Sequence, residues 1–199
     1  MNWLSHLHLA ARTSHARIGG LLPDLLSKST LEALPPEFQP SIRQHHLIDA
    51  FTDAHPVFRR SRSRLSPAIR RYSGVLIDLF YDHFLTLQWD RLGSQPLGEM
   101  LSTFNSDVES LRESLPVEAF RELNRIRHGG WLGSYGDSEG LRFALERIGH
   151  RFRRPTDLTP ALDDLTSCHH SELEEDFLEF YPQLQAFVEN YCATIPHTA

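Results

Sequence analysis

Residues 74–87, GVLIDLFYDHFLTL, are apolar on almost every side of a helix, so this segment belongs at the centre of whatever the chain builds. Yet it carries Asp78, Asp82 and His83. Burying an unpaired carboxylate costs several kcal/mol or forces its neutralisation, so these side chains need partners or a metal inside the core. A single buried Asp is ordinarily a satisfied structural group. Two of them one helical turn apart, with an adjacent imidazole, point to a reaction site.

A second polar concentration lies some thirty residues upstream, in HHLIDAFTDAHP at 45–56. At 100° per residue, His45, Asp49 and Asp53 form one polar stripe, while Leu47, Ile48 and Phe51 form a separate apolar face. A His and a carboxylate at i, i+4 converge closely enough to ligate one cation. The same stripe is also what a solvated helix face presents. His46 points away from it, and His55 precedes Pro56, where it can simply shape the turn. Taken singly, Asp24 after GGLLP reads as a turn or cap residue, and His6 as a core or edge histidine.

Helical periodicity dominates elsewhere, and no segment shows persuasive strand alternation. Helices are expected over 2–12, from Pro36 to about Thr52, and over 96–114, 117–128, 137–151, 159–168 and 171–194. Ser66-Pro67 has the form of an N-cap followed by a first-turn proline, which predicts one long helix from there to about Leu92. Ser171 and Glu174 form a capping box for the last helix. Connections are short and there is no linker, so 1–199 reads as a single all-α domain with 155–199 as acidic helices packed on it.

The charge is unevenly divided. The formal net charge is −6, but the chain from residue 155 onward contains acids and no Lys or Arg. Arg59, Arg60, Arg62, Arg64, Arg70 and Arg71 fall in a stretch with no acid between Asp53 and Asp78. Such a run is often only a solvated face, although arginine's planar fork suits phosphate and carboxylate recognition. The acidic C-terminal region argues against general nucleic-acid binding. No stretch reads as a membrane span or signal peptide, and two cysteines are too few for a disulfide framework. A cytoplasmic setting is expected. Imidazole and carboxylate ligands without thiolates favour Mn²⁺, Mg²⁺ or Fe²⁺. With arginines between the two candidate ligand helices, the residues point to phosphoester hydrolysis.

Several segments together resemble the acyl carrier protein phosphodiesterases, a family that looks distantly related to the HD-type phosphohydrolases. They are MNWLSHLHLA, IGGLLPD, IRQHHLIDAFTDAHPVFRRSRSRLSP, GVLIDLFYDHFL and WLGSYGDSEGLRFALERIGHR, spanning residue 1 to about 151. The chain departs from the family pattern at His8, Gly20, His46 and Gly130.

This resemblance implies an all-α bundle like the HD-type fold and a metal-dependent phosphodiesterase of lipid metabolism. The implied reaction removes 4′-phosphopantetheine from holo acyl carrier protein. It implies a divalent metal, Mn²⁺ first and Mg²⁺ or Fe²⁺ otherwise, on some subset of Asp24, His45, Asp49, Asp82 and His83, with Asp53 in support. Asp78 would orient a ligand or take a proton from water, and His55 or His6 would protonate the leaving serine oxygen. Arg59, Arg60, Arg62 and Arg64 would steer the acidic carrier. Two other readings stand beside this one: hydrolysis of a nucleotide or other small phosphodiester, and a non-catalytic helical binding module.

Overall fold

The computed structural model describes residues 1–194; the last five positions of the expected C-terminal region, 195–199, lie outside the described residues. Among the described residues twelve α-helices follow one another: α1 (Trp3–His8), α2 (Ser14–Gly19), α3 (Lys28–Glu32), α4 (Gln39–Ala54), α5 (Pro56–Arg64), α6 (Ser73–Leu87), α7 (Trp89–Leu92), α8 (Leu97–Ser110), α9 (Val117–His128), α10 (Ser138–Arg151), α11 (Ala161–Asp163) and α12 (His170–Thr194). There is no strand among the described residues, so the fold is all-α. No helix there is long and apolar enough to cross a membrane.

The greasy segment is α6, and it is central. Leu76, Ile77, Leu79, Phe80, Tyr81, Phe84 and Leu85 are all buried, and α6 packs against α1, α5, α10 and α12. Each such side chain contributes about 1.5–3 kcal/mol of burial. The expected long helix from Ser66 does not form. Residues 66–72 are a turn ending in a short 3₁₀ segment, and α6 starts at Ser73. Tertiary contacts override the local signal: the Ser66 amide donates to Asp164 Oδ2 at 2.6 Å, and Tyr72 stacks on Phe152 with centroids 5.1 Å apart. At the other end Gln88 leaves helical geometry, which separates α7. The expected 159–168 helix becomes α11 followed by a π-helical stretch, Asp164–Cys168.

The acidic C-terminal helix covers the arginine-rich helix of the same chain. Asp176 on α12 accepts from Arg60 Nε at 2.7 Å, Arg64 Nε at 2.8 Å and Ser61 Oγ at 2.8 Å, and Arg60 also pairs with Glu179. Ser61 Oγ lies 2.8 Å from the Tyr81 hydroxyl, tying α5, α12 and α6 together.

Glycine is needed at several positions, among them Gly19 and Gly130. A Cβ on Gly19 would fall 2.0 Å from Ser41 Oγ, so only glycine lets α2 approach α4 this closely. Gly130, at φ +63°, turns the chain after α9 into the 3₁₀ segment Trp131–Gly136.

Candidate active site

The stripe on α4 meets α1 and the turn after α2. His45 Nδ1–H donates to the Gly20 carbonyl at 2.8 Å, which aims Nε2 at Asp49 Oδ2, 3.0 Å away, and at Asp24 Oδ1, 3.9 Å away. His6, from α1, stacks on His45 with ring centroids 3.9 Å apart, and its Nε2 reaches Asp49 Oδ1 at 3.2 Å. The buried amino group of Met1 lies 3.0 Å from Asp49 Oδ1 and 3.1 Å from Asp78 Oδ1, so it links the α4 stripe to α6.

The electrostatics follow from this crowding. Burial pushes His6 down to about 4 despite its bond to Asp49, so His6 is neutral at ordinary pH. Burial opposes the charge of His45 as well, but Asp49 and then Asp24 outweigh it and raise its pKa. Asp49 is held below the usual carboxylate range: burial favours its neutral form, but bonds from His45 and His6 and the ammonium of Met1 win. Burial raises Asp78, only partly countered by that ammonium. The Met1 amine is lifted to about 11, because Asp78 and Asp49 outweigh its own burial.

His6, His45 and Asp49 each present a ligand atom within 4.8 Å of the others, and Asp24 borders them. With Nδ1–H committed to a carbonyl, Nε2 of His45 and two carboxylates face one another. Only a proton or a cation between them relieves that apposition. The donor set, nitrogen and oxygen without sulfur, therefore fits a hard or borderline divalent ion.

Other expected residues lie elsewhere. Asp82 is fully buried, and it caps α1 instead of facing the cluster. Its oxygens accept from the Leu4 amide at 2.8 Å, the Ser5 amide at 2.9 Å and Ser5 Oγ at 2.5 Å. Burial pushes its pKa up to about 7 against those bonds. Because α1 has no cap of its own from Asn2, Asp82 takes that role across 78 residues of sequence. His83 faces away, donating through Nδ1 to the Tyr135 carbonyl at 2.7 Å beside Phe84 and His170. Asp82 and His83, both in the ligand set that the resemblance implied, thus make these hydrogen bonds outside the His6–His45–Asp49 cluster. His55 sits at the α4–α5 corner, where Nδ1 accepts from the Val57 amide and the ring packs on Phe51 and Phe180. Asp53 is exposed. Arg60 and Arg64 are engaged by Asp176, and Arg62 donates to Ser73 Oγ, which leaves Arg59 as the exposed remainder of the expected steering face.

A cavity of about 290 Å³ opens beside the cluster. Asp24 and Asp78 line one part of it, and Asn2, Trp3, Arg147 and Arg151 line another. Reading α4 and α6 alone missed these arginines, although the block WLGSYGDSEGLRFALERIGHR contains Arg147 and Arg151. Carboxylates that can handle protons and guanidinium donors thus share one space, and Asp24 joins it to the ligand group, whose His6 and His45 line a separate small pocket.

Comparison with known proteins agrees with this chemistry. The family model described as acyl carrier protein phosphodiesterase matches residues 1–184. A protein of that name from Photorhabdus laumondii subsp. laumondii is 30% identical over 197 residues, covering 96% of this chain and 98% of the relative. One from Shigella boydii serotype 18 is 30% identical over 187 residues, covering 94% and 96%. No solved structure matches, so the expected likeness to HD-type phosphohydrolases has no structural counterpart here. The chain belongs to the acyl carrier protein phosphodiesterase family.

Proposed function

We propose that this chain hydrolyses the phosphodiester joining 4′-phosphopantetheine to a serine of holo acyl carrier protein, leaving the apo carrier. The observation that carries the reading is the cavity itself, where Asp24 and Asp78 share walls with Arg147 and Arg151 next to His6, His45 and Asp49. The name of the relatives supplies the carrier protein as substrate.

In this reading His6, His45 and Asp49, with Asp24 at their edge, would hold a divalent ion, Mn²⁺ first and Mg²⁺ or Fe²⁺ otherwise. Such an ion would polarise a phosphoryl oxygen and acidify water. The residues do the rest. The Gly20 carbonyl fixes the tautomer of His45, and Asp49 holds both imidazoles in place. Asp78, whose pKa is raised by burial, takes the proton of the attacking water as the new P–O bond forms. The serine oxygen leaves as the old P–O bond breaks, and solvent at the open side of the cavity protonates it. The proton roles expected of His55 and His6 are not retained. His55 is packed at a corner away from the cavity lining, and a neutral His6 lacks the acidic imidazolium proton that a general acid donates. The reaction would run in the cytoplasm, where Cys168 and Cys192 remain free thiols.

The test is incubation of holo acyl carrier protein with the Mn²⁺-loaded protein, followed by mass measurement. Loss of the phosphopantetheine mass is expected, and folded Asp49→Asn and Asp78→Asn proteins should not produce it. An unchanged carrier mass after incubation with metal-loaded wild type would overturn the reading.

A further inference from the structure

Arg147 projects from α10 into a setting that only partly satisfies it. Its guanidinium carbon lies 3.9 Å from the ring centroid of Trp131 and 5.0 Å from that of Trp3, and the two rings stand nearly parallel 6.2 Å apart. The contact with both faces fixes the plane of the fork. Yet Nε and Nη1 of Arg147 are buried with no hydrogen-bond partner, and no carboxylate pairs with it among the described residues. Buried donors left unmade are costly, so their presence calls for an acceptor.

Arg147 is not alone in this. Asn2 Nδ2 and the Tyr135 hydroxyl are also buried without partners. Burial pushes Tyr135 upward, and Arg147 lies near enough to pull against that rise, although neither Arg147 nor Asn2 makes a proper hydrogen bond to it. Asn2 and Arg147 line the cavity that holds Asp24 and Asp78. Arg151, one turn further along α10, lines it too and is anchored by Nη2 donating to the Asp24 carbonyl at 2.9 Å. A second cavity of about 380 Å³ shares Trp3, Arg147 and Arg151 and continues past Arg121 and Arg125.

We propose that Arg147 and Arg151, helped by the Asn2 amide, form the subsite that grips the non-bridging oxygens of the substrate's phosphodiester. The inference rests on the phosphodiesterase reading and names the residues that recognise its reacting group. The chemistry matches: Arg147 and Asn2 carry buried donors with no acceptor of their own, Arg151 adds a second guanidinium, and a phosphodiester's oxygens accept several bonds each. A guanidinium held flat on two rings loses little freedom when it binds, and it can meet a phosphoryl group with two parallel N–H bonds. The subsite lies on the cavity wall that adjoins Asp24 and Asp78, so a phosphodiester held there would lie beside the residues that act on it.

The test uses inorganic phosphate and 4′-phosphopantetheine as probes of the purified, folded protein. Trp3 and Trp131 touch Arg147, so tryptophan fluorescence should change saturably as either anion binds. Arg147→Gln and Arg151→Gln should each weaken that binding at least tenfold, and Arg147→Lys should restore only part of it. Arg151 is exposed, so its variant separates loss of the grip from loss of packing. Both Gln variants should also raise KM for holo carrier or lower kcat. Anion binding equal in wild type and both Gln variants would overturn the subsite, as would an unchanged kcat/KM. If the wild type binds phosphate through these arginines but leaves holo carrier intact, the subsite stands and the phosphodiesterase reading falls. If the carrier is hydrolysed equally by wild type and variants, the reading stands and the subsite falls.

Discussion

His6 and His45 stack with ring centroids 3.9 Å apart and hold one carboxylate, Asp49, by its two oxygens. The two rings carry opposite tendencies: burial lowers the pKa of His6, while Asp49 and Asp24 raise that of His45 against its own burial. A divalent ion entering the cluster competes with a proton for Nε2 of His45. Mn²⁺ affinity should therefore rise with pH through the range in which His45 loses its proton. Calorimetry in buffers of different ionisation enthalpy should show proton release on binding. His45→Ala and Asp49→Asn should each lower affinity by about tenfold or more. Binding that releases no proton, or that survives both substitutions, would count against this ligand set.

Asp82 and Asp49 should fail in different ways when replaced. Asp82→Ala leaves the Leu4 and Ser5 amides and the Ser5 hydroxyl buried without an acceptor. The cost should be about 3 kcal/mol, which in a chain of this size lowers Tm by about 6–12 °C. Activity should fall too, because α1 carries His6 and Met1 into the site. Asp49→Asn should abolish activity with a much smaller change in Tm. Thermal unfolding of the two variants separates the roles, and equal Tm values would show that Asp82 is not a structural cap.

The pattern of α6 announced a central helix whose polar residues needed partners, and the structure bears that out. Nothing in the same pattern distinguishes Asp78 from Asp82, one turn apart on one stripe. The difference is tertiary: Asp78 borders a cavity, while Asp82 meets the amides of α1. His83 is similar, since its partner is a main-chain carbonyl 52 residues away. Local signals also failed at Ser66-Pro67, where contacts with Asp164 and Phe152 hold the chain out of a helix. Arg147 had no local signal at all. Its setting depends on Trp3 and Trp131, which only the folded chain brings together.

His55 looked like a proton donor, but its geometry is that of a cap. Its Nδ1 accepts from the Val57 amide at 3.3 Å, and its ring is held by Phe51 and Phe180. His55→Asn keeps a side chain able to cap α5, so kcat on holo carrier should stay within about twofold of wild type and Tm should change little. A loss of a hundredfold or more in kcat at unchanged Tm would restore a chemical role to this residue.

The arginines of α5 should prove structural. Asp176, with a side chain only 1% exposed, is bound by Arg60, Ser61 and Arg64, and these partners hold its pKa below the ordinary value although burial works the other way. A depressed folded pKa means that the unfolded chain takes up the proton first as pH falls. The stability this group contributes is therefore present above about pH 4, the ordinary Asp value, and is lost as pH drops through its lower folded pKa. Asp176→Asn should flatten that part of the acid unfolding curve. Arg64→Ala leaves a buried carboxylate short of a partner and should cost about 3 kcal/mol in urea unfolding. The same variant should leave KM for the acidic carrier within about twofold. A rise in KM of tenfold or more, with stability unchanged, would return α5 to the role of a steering face.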